Sequence, residues 1–499
     1  MAAAPQSTRA GLGDRIHNYE IWGRLGEGGM SQVFLAKHSV LCIPVIIKTV
    51  RPEIGVDSTG AHRVLQEAKL MARIPSPRVV RALDAGMHQD RPFLVQEYVD
   101  GIDCAELDRR RRTALGVGLP LWFVCEAMYA ACEALTAAHQ TGVVHRDVKP
   151  SNLFGSPQTG IRLGDFGIAM TQAHAAHEVS GTIRFMPPEH LRGADVDRAA
   201  DVWGAGATAF DLRYGRAPFG SVAELLDFDK LPAFPPARSP AEAYFQELVG
   251  SMLEKDVARR PENLVDVMRH FAAIGGMLRP RNRRTQFVYV DRYTFQVDDC
   301  VVHMRTGDIV GAEADAIVSS ANHHMKMRTG VGEALRKRGG DVIEDEAMAA
   351  GPQPLGSCLA TSAGSLAARN VLHAVSAWNE TSCVGRATQR ALLLADELGH
   401  KRLAVPALGT GAARVTMETC ASAMMTALKL HVVLGGTRLR RVDVVLWDQK
   451  DLDVYREVAE ECLRGDGDAA TVDIGLPAEE VEARPEAATC IDASKTGPR

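Results

Sequence analysis

The sequence predicts two domains of different fold class, an α+β domain followed by a layered α/β domain. At 499 residues the chain is too long for one typical domain. Short β-type runs begin at Tyr19 and give way to helical patterns after about Leu107, whereas strands and helices alternate from Phe287 onward. Between these blocks, residues 275–286 combine two glycines, a proline and four arginines, which is typical of a linker.

The two ends of the chain have a different composition from the blocks between them. Residues 1–17 are small and polar, and residues 465–499 are rich in Ala, Glu, Asp and Pro, so we expect a disordered arm and a disordered acidic tail. The predicted domains are therefore residues 18–275 and 287–464, joined by an arginine-rich linker at 276–286.

Composition and charge exclude several classes of protein. The formal charge of −5 argues against a nucleic-acid-binding protein. The ten cysteines are scattered without a C-x-x-C pair, so we expect reduced thiols. The most apolar run, residues 121–138, contains Glu126 and Glu133 and is interpreted as a core helix, not a membrane helix. Because the N-terminus lacks an apolar signal segment, we expect a cytoplasmic protein without a membrane partner.

A glycine-rich loop in the first block suits phosphate binding. The run GEGGMSQV, which starts at Gly26 and includes Gly28 and Val33, lies between two predicted strands, and glycines let backbone N–H groups approach phosphate oxygens. Ordinary hairpins carry such loops too. The next β-type run ends at Lys48, which could neutralise phosphates if a carboxylate held it, and Glu67 is the candidate carboxylate.

Two further motifs decide the prediction for the first block. HRDVKPSN occupies residues 145–152 and DFG occupies residues 165–167. Together with the preceding lysine and glutamate, this order resembles the protein-kinase signature set over about residues 19–275. HRDVKPSN is similar to the serine/threonine subgroup of bacterial eukaryotic-like kinases. The resemblance implies an α+β protein-kinase bilobal fold and protein substrates that carry serine or threonine.

The resemblance also implies roles for the polar residues. Asp147 would accept or orient the substrate hydroxyl proton, and Lys149 would steady the γ-phosphate of ATP. Lys48, clamped by Glu67, would hold the α- and β-phosphates.

The same resemblance implies a metal site and an adenine site. Asn152 and Asp165 would bind Mg²⁺, or Mn²⁺ in its place. The backbone of Glu97 and Val99 would hold the adenine, with Gln96 as the gatekeeper.

Supporting contacts follow from the same family pattern. Glu189 should pair with Arg260, and Asp201 should brace the catalytic loop. Arg146 would receive a phosphate on the activation segment, for which Thr171 and Ser180 are the candidate sites.

One departure keeps a rival interpretation open. Ile46 stands where the family usually has an alanine over the adenine, and a larger side chain there would narrow the site. A non-catalytic pseudokinase scaffold is therefore the alternative to an active kinase.

The second block carries glycine loops that suit a diphosphate. Gly330 and Val331 open a predicted helix, and PALGTG at residues 406–411 follows a predicted strand. Helix N-termini and backbone N–H groups neutralise phosphates without many cations, although ordinary βα turns share this pattern.

With GDI at residues 307–309 and DAIVSSAN at 315–322, these loops resemble the macro domain over about residues 287–464. The resemblance implies an α/β/α three-layer fold, with a mixed sheet between helices. It also implies binding of ADP-ribose, free or on ADP-ribosylated partner proteins. The implied contacts are Asp308 with Ile309 to the adenine, Asn322 to the distal ribose, and Gly330, Val331, Gly409, Gly411 and Ala412 to the diphosphate.

Departures in the second block leave its activity open. Hydrolytic members of the family usually carry an acidic residue where this chain has Gly332, and Glu333 comes next. Binding of ADP-ribose, hydrolysis of ADP-ribosyl groups, and another ligand or none are the alternatives. We interpret the arginines at residues 109–112 and in the linker as solvated or substrate-facing surface.

Overall fold

The first domain begins with a sheet that forms its small lobe. The computed structural model describes residues 15–27, 31–50, 65–66, 68–156, 159–166, 183–193, 197–278, 287–378, 381–411 and 414–464. Six strands pair in the order β1-β2-β3-β4-β6-β5, all antiparallel. They are β1 Arg15–Ile16, β2 Tyr19–Glu27, β3 Ser31–His38, β4 Pro44–Val50, β5 Ala82–His88 and β6 Arg91–Glu97.

Side chains of β4 alternate between the two faces of the small-lobe sheet, and this alternation places Lys48. Val45 and Ile47 are buried in an apolar cluster on one face of the sheet. Because successive side chains of a strand point to opposite faces, Ile46 and Lys48 lie on the other face. That face closes the cleft between the lobes.

Helices build the large lobe around one apolar core. They are α1 Cys104–Leu115, α2 Leu121–Gln140, α3 Pro188–Leu191, α4 Arg198–Tyr214, α5 Val222–Leu226, α6 Pro240–Met252 and α7 Leu264–Leu278, with the short strands β7 Ile102–Asp103, β8 Leu153–Ser156 and β9 Gly160–Leu163. Among the described residues, α2 is the one helix long and apolar enough to span a membrane. Most of it, 72%, is buried inside the domain, as expected of a core helix.

The second domain is a mixed eight-stranded sheet between two layers of helices. The strands pair in the order β10-β11-β12-β19-β18-β13-β15-β14, with β12, β19, β18, β13 and β15 parallel. They are β10 Phe287–Asp291, β11 Thr294–Val297, β12 Cys300–Thr306, β13 Ala316–Ser320, β14 Cys358–Ser362, β15 Asn370–Ala374, β18 Arg402–Val405 and β19 Arg441–Leu446, and a separate pair is β16 Ala377–Trp378 and β17 Thr381–Ser382.

The helices of the second domain cover both faces of this sheet. They are α8 Gly330–Gly339, α9 Val342–Ala349, α10 Val384–Glu397, α11 Met417–Val433 and α12 Gln449–Arg464. Along β13, Val318 is buried in the cluster that contains the apolar faces of α10, α11 and α12, whereas Ile317 is buried with Leu335 of α8 and Ile343 of α9. The predicted α+β bilobal domain followed by an α/β/α domain is confirmed.

Two predicted boundaries are wrong. We expect a disordered arm through residue 17, but residues 15–16 form β1, where Ile16 is fully buried against the sheet. The expected linker at 276–286 begins inside a helix, because α7 continues to Leu278. Residues 1–14, 279–286 and 465–499 lie outside the described residues.

The predicted arginine surface at 109–112 is also wrong in part. Arg110 and Arg111 are buried where α1 of the first domain meets the second domain, and both side chains bond to groups of that domain. A basic run is usually solvated, but here the carboxylate of Glu397 and the carbonyl of Leu434 replace water. None of the nine described cysteines is in a disulfide.

We expect His373 to make the second domain sensitive to acid. It is fully buried on β15, where Thr361 contacts its Nε2, and burial lowers its pKa from 6.5 to about 4. The unfolded chain therefore binds more protons between these two pH values, so stability falls as the pH falls through this window. We expect the wild type to lose about 3 kcal/mol more than H373Q between pH 7 and pH 4, measured by denaturant unfolding. Equal losses in both proteins would contradict this expectation.

Candidate active site

Lys48 and Asp165 form the charged pair at the centre of the cleft. The ammonium group of Lys48 forms an ion pair with the Asp165 carboxylate. Burial opposes ionisation of Asp165, but Lys48 outweighs burial and lowers the pKa of this carboxyl group. Asp165 adopts a left-handed backbone with φ of 59°, a strain that is usual at functional sites. Glu67 and Gly28 lie outside the described residues, so the predicted Lys48–Glu67 pair stays a prediction.

Asp147 is held by one carboxylate oxygen and presents the other. Its Oδ2 lies 2.8 Å from Lys149 Nζ and accepts a 3.2 Å hydrogen bond from Asn152 Nδ2. Asn152 Nδ2 also donates to the Asp147 carbonyl at 2.7 Å. Asp147 Oδ1 is buried and has no hydrogen-bond partner in the part of the chain that the structure describes. Because a buried acceptor is costly to leave unpaired, this oxygen suits a donor that the described residues do not supply.

Buried contacts fix the loop that carries Asp147. The carboxylate of Asp201 accepts hydrogen bonds from the backbone N–H groups of His145 and Arg146 at 2.8 and 2.7 Å. The His145 ring packs 4.3 Å from the Phe166 ring, its Nε2 lies 2.9 Å from the Gly164 carbonyl, and burial lowers the pKa of His145. The predicted brace by Asp201 is confirmed.

A second buried pair supports the large lobe below the cleft. Arg260 donates two hydrogen bonds to the Glu189 carboxylate, at 2.6 and 2.7 Å, as the sequence predicts.

Arg146 Nε is buried without a hydrogen-bond partner among the described residues, which suits an arginine that would receive an anion. Thr171 and Ser180, the predicted phosphorylation sites, lie outside the described residues.

Two oxygen donors in the cleft suit a hard cation. Asn152 and Asp165 supply one amide oxygen and one carboxylate, and backbone bonding between Gly164 N and Asn152 O joins the two segments. No group of three or more His, Cys, Asp or Glu that could hold a metal ion occurs within the described residues. Mg²⁺ commonly binds one or two carboxylates and takes its remaining ligands from phosphates and water, so this set fits magnesium.

The hinge between the lobes is tied down by the side chain of Glu97. Its carboxylate accepts from Arg162 at 2.7 Å and from Arg81 at 3.2 Å, so it faces away from the cleft. Gly26 and Val33 are paired across β2 and β3 at the edge of the cleft. Val99 is buried, and its carbonyl accepts from Gly101 N at 2.9 Å. The predicted backbone contacts of adenine to Glu97 and Val99 stay predictions.

The predicted residues of the second domain gather at the carboxyl ends of its parallel strands. Asp308 and Ile309 follow β12, Asn322 follows β13, and Gly409 and Gly411 follow β18. Ligands of open α/β sheets bind at this edge. Gly330 opens α8 with φ of 57°, and the first N–H groups of that helix have no intrahelical acceptors. Val331 follows in the same turn, whereas Ala412 lies outside the described residues.

Two of these side chains are already engaged by the chain itself. Asp308 Oδ1 accepts from Val310 N at 2.9 Å, and its half-exposed Oδ2 lies 3.6 Å from Arg338. Asn322 Nδ2 donates to the Lys326 carbonyl at 2.6 Å, so its amide closes its own loop, and the predicted contact of Asn322 to the distal ribose stays a prediction.

Two residues at this edge were missed by the sequence analysis. Trp447 directly follows β19 and is 86% exposed, and the pairing of Leu446 with Thr306 places it next to the Asp308 loop. A lone aromatic beyond a strand gives no sequence signal. Ser320 Oγ lies 3.1 Å from Ser376 Oγ and accepts from Gly409 N at 3.3 Å, so it links three loops of the edge.

A family model described as protein kinase domain matches residues 19–271, half of the chain. The chain belongs to the protein kinase family. The residues gathered in the cleft are thus those of a kinase domain. A second family model, described as macro domain, matches residues 318–424. We call the two parts the kinase domain and the macro domain below.

Relatives of known type match the kinase domain. Serine/threonine-protein kinase PknB of Mycolicibacterium smegmatis is 31% identical over 50% of this chain and 41% of its own length. Serine/threonine-protein kinase Pkn1 of Myxococcus xanthus is 32% identical over 50% of this chain and 37% of its own. The chain thus spans about two fifths of these relatives. A crystal structure of the Mycobacterium tuberculosis PknI kinase domain is 27% identical over 54% of this chain and 100% of its own, with a TM-score of 0.41.

Proposed function

We propose that the kinase domain transfers the γ-phosphoryl group of ATP to serine or threonine hydroxyls of proteins. The observation that carries this proposal is the buried Asp147 Oδ1, which has no partner among the described residues and lies on the carboxylate that Lys149 holds, in the same domain as the Lys48–Asp165 pair. Phosphoryl transfer depends on positioning and charge neutralisation, and these four side chains supply both.

Each side chain has a separate part in the proposed reaction. Asp147 Oδ1 accepts the hydrogen bond of the substrate hydroxyl and orients its oxygen for in-line attack, while Lys149 holds the other oxygen of Asp147 and faces the transferring phosphate. Lys48 neutralises the phosphates of ATP. Asn152 and Asp165 would hold Mg²⁺, which supplies neutralisation of the phosphate charge.

A transfer assay tests the proposal. The full chain is incubated with labelled ATP, Mg²⁺ and casein, and the labelled amino acids are identified after acid hydrolysis. We expect phosphoserine or phosphothreonine. Label on tyrosine alone would contradict the proposed specificity, and no label on casein or on the chain itself would favour the pseudokinase alternative.

For the macro domain we propose binding of ADP-ribose, free or attached to a partner protein. Support comes from the N-terminus of α8 and the Gly409 loop at one edge of the sheet, where N–H groups suit a diphosphate, and from Trp447 beside Asp308. The exposed indole suits stacking on the adenine. Hydrolysis has less support, because Glu333 is paired with Lys337 along the surface of α8 at 2.7 Å.

Substitution of Trp447 tests the adenine contact. Stacking of a base on an aromatic side chain is worth ~1–3 kcal/mol, so W447A should weaken ADP-ribose binding about tenfold, whereas W447F should keep most of the affinity. Isothermal titration calorimetry on the full chain measures both. A flat trace from the wild type would refute ADP-ribose binding, and equal affinities of wild type and W447A would refute the stacking contact.

A further inference from the structure

One helix of the macro domain, α10, contacts the hinge of the kinase domain. The hinge, residues 97–103, runs from the end of β6 through β7 to the start of α1, and α10 of the macro domain lies along it. The Asp100 carboxylate accepts from Gly385 N and Arg386 N, both at 2.9 Å. The N-cap residue of α10, Cys383, makes no side-chain cap of its own. The kinase hinge therefore supplies the cap of a macro-domain helix.

Successive turns of α10 continue this contact along the hinge. The guanidinium of Arg386 stands over the Tyr98 ring, 5.9 Å from its centre. Gln389 Oε1 accepts from Ile102 N at 3.2 Å, one turn further on. Residues three and four apart share one face of a helix, so Arg386 and Gln389 lie on the same face of α10 and contact hinge residues on that face.

Two bidentate ion pairs extend the contact to the large lobe. Arg390 donates to Glu106 at 2.7 and 2.9 Å, and Arg110 donates to Glu397 at 2.6 and 2.9 Å. Both pairs are largely shielded from water, a setting in which removal of one partner is strongly destabilising. Leu393 of α10 is buried in the core of the large lobe.

The macro domain also contacts the small lobe. Trp22 and Leu35 are buried in one apolar cluster with Met325 and Leu355 of the macro domain, and Ile46 packs against this cluster. Ile46 is the large residue that replaces the family's alanine over the adenine. Its packing partners explain the replacement, because a methyl group would leave this cluster underfilled.

From these contacts we propose that Arg386 and Gln389 of the macro domain are positioning residues for the nucleotide site of the kinase domain. They act through the hinge, because they fix Tyr98, which lies between the two residues whose backbone would hold the adenine, and Ile102 three residues after that segment. The macro domain contacts both lobes and thus also sets the angle between them. This inference rests on the proposed ATP-dependent kinase activity.

Arg386→Met tests the inference in the full chain, because methionine keeps the aliphatic stem and removes the charge over Tyr98. Loss of this contact should raise the KM for ATP and the Kd of a non-hydrolysable ATP analogue about five- to tenfold, the lower end of the usual range of coupling between sites. The kcat should change less than about twofold. Arg386→Lys keeps a cation over the ring and should restore most of the affinity. The matched control is Arg441→Met, which removes an arginine paired with Asp443 elsewhere on the macro domain and should leave both constants unchanged.

The outcomes separate the two proposals. If the wild type is active and folded R386M has the same KM for ATP and the same Kd for the analogue, the positioning role is overturned. The role is also overturned if R441M raises both constants as much as R386M does. If R386M fails to fold, as judged by thermal unfolding, the milder Gln389→Ala is used instead. A raised KM for ATP and Kd for the analogue would support the positioning role, and unchanged values would overturn it. A wild type that neither binds the ATP analogue nor transfers phosphate would instead overturn the proposed kinase function.

Discussion

Asp147→Asn should lower kcat for phosphate transfer about 1000-fold while the KM for ATP changes little. The amide keeps the size of the side chain, but in place of the Oδ1 acceptor, which has no partner among the described residues, it can present a donor to the substrate hydroxyl. Positioned acid–base groups contribute 10²- to 10⁴-fold to catalysis, so a loss of about 1000-fold is expected. The readout is steady-state transfer to casein at saturating ATP.

The control for this variant is Asp266→Asn, which changes an exposed carboxylate on α7 that pairs only with its neighbour Arg269 among the described residues. It should keep wild-type kcat. If D147N retained more than about a tenth of wild-type kcat, Asp147 would not have the proposed role of orienting the substrate hydroxyl.

Lys48→Met should lower kcat/KM for ATP about 100- to 1000-fold, the effect of removing one charge-stabilising group from a preorganised site. It also leaves the buried Asp165 without its cation. Burial then dominates, so the pKa of Asp165 should rise. As the pH is lowered, the residual activity of K48M should therefore be lost at a higher pH than the activity of the wild type. Rates measured from pH 5 to pH 8 test both parts.

Lys230→Met, at an exposed lysine of the large lobe, is the matched control and should behave as the wild type. An unchanged kcat/KM in K48M would refute the proposed neutralisation of the ATP phosphates by Lys48. If K48M is slower but its rate falls at the same acidic pH as that of the wild type, the expected rise in the pKa of Asp165 would be refuted, while the neutralisation of the ATP phosphates by Lys48 would stand.

The sequence predicts the kinase cleft well because its chemistry lies in short motifs. Asp147, Lys149 and Asn152 are near neighbours in one loop, so their spacing alone brings them together, and the DFG motif adds Asp165. The fold class follows for a similar reason, since periodicity is a local signal. Lys48 comes from a distant strand, and its pairing with Asp165 was not predicted, because the family pattern pairs Lys48 with Glu67.

The contacts between the domains could not be predicted in this way. Arg110 meets Glu397 and Asp100 meets Gly385 only after both domains have folded, and nothing local marks these residues as partners. The basic run around Arg110 therefore read as solvated surface. In the macro domain, the internal hydrogen bond of Asn322 and the position of Trp447 depend on loop conformation and strand order, which periodicity does not encode.

The most direct test of the kinase assignment is phosphate incorporation from labelled ATP by equal amounts of wild type, K48M and D147N. We predict that the wild type labels casein on serine or threonine and that both variants lose nearly all incorporation while they remain folded. Equal incorporation by the three proteins would contradict the assignment of the cleft, because the label would then come from chemistry that uses neither Lys48 nor Asp147.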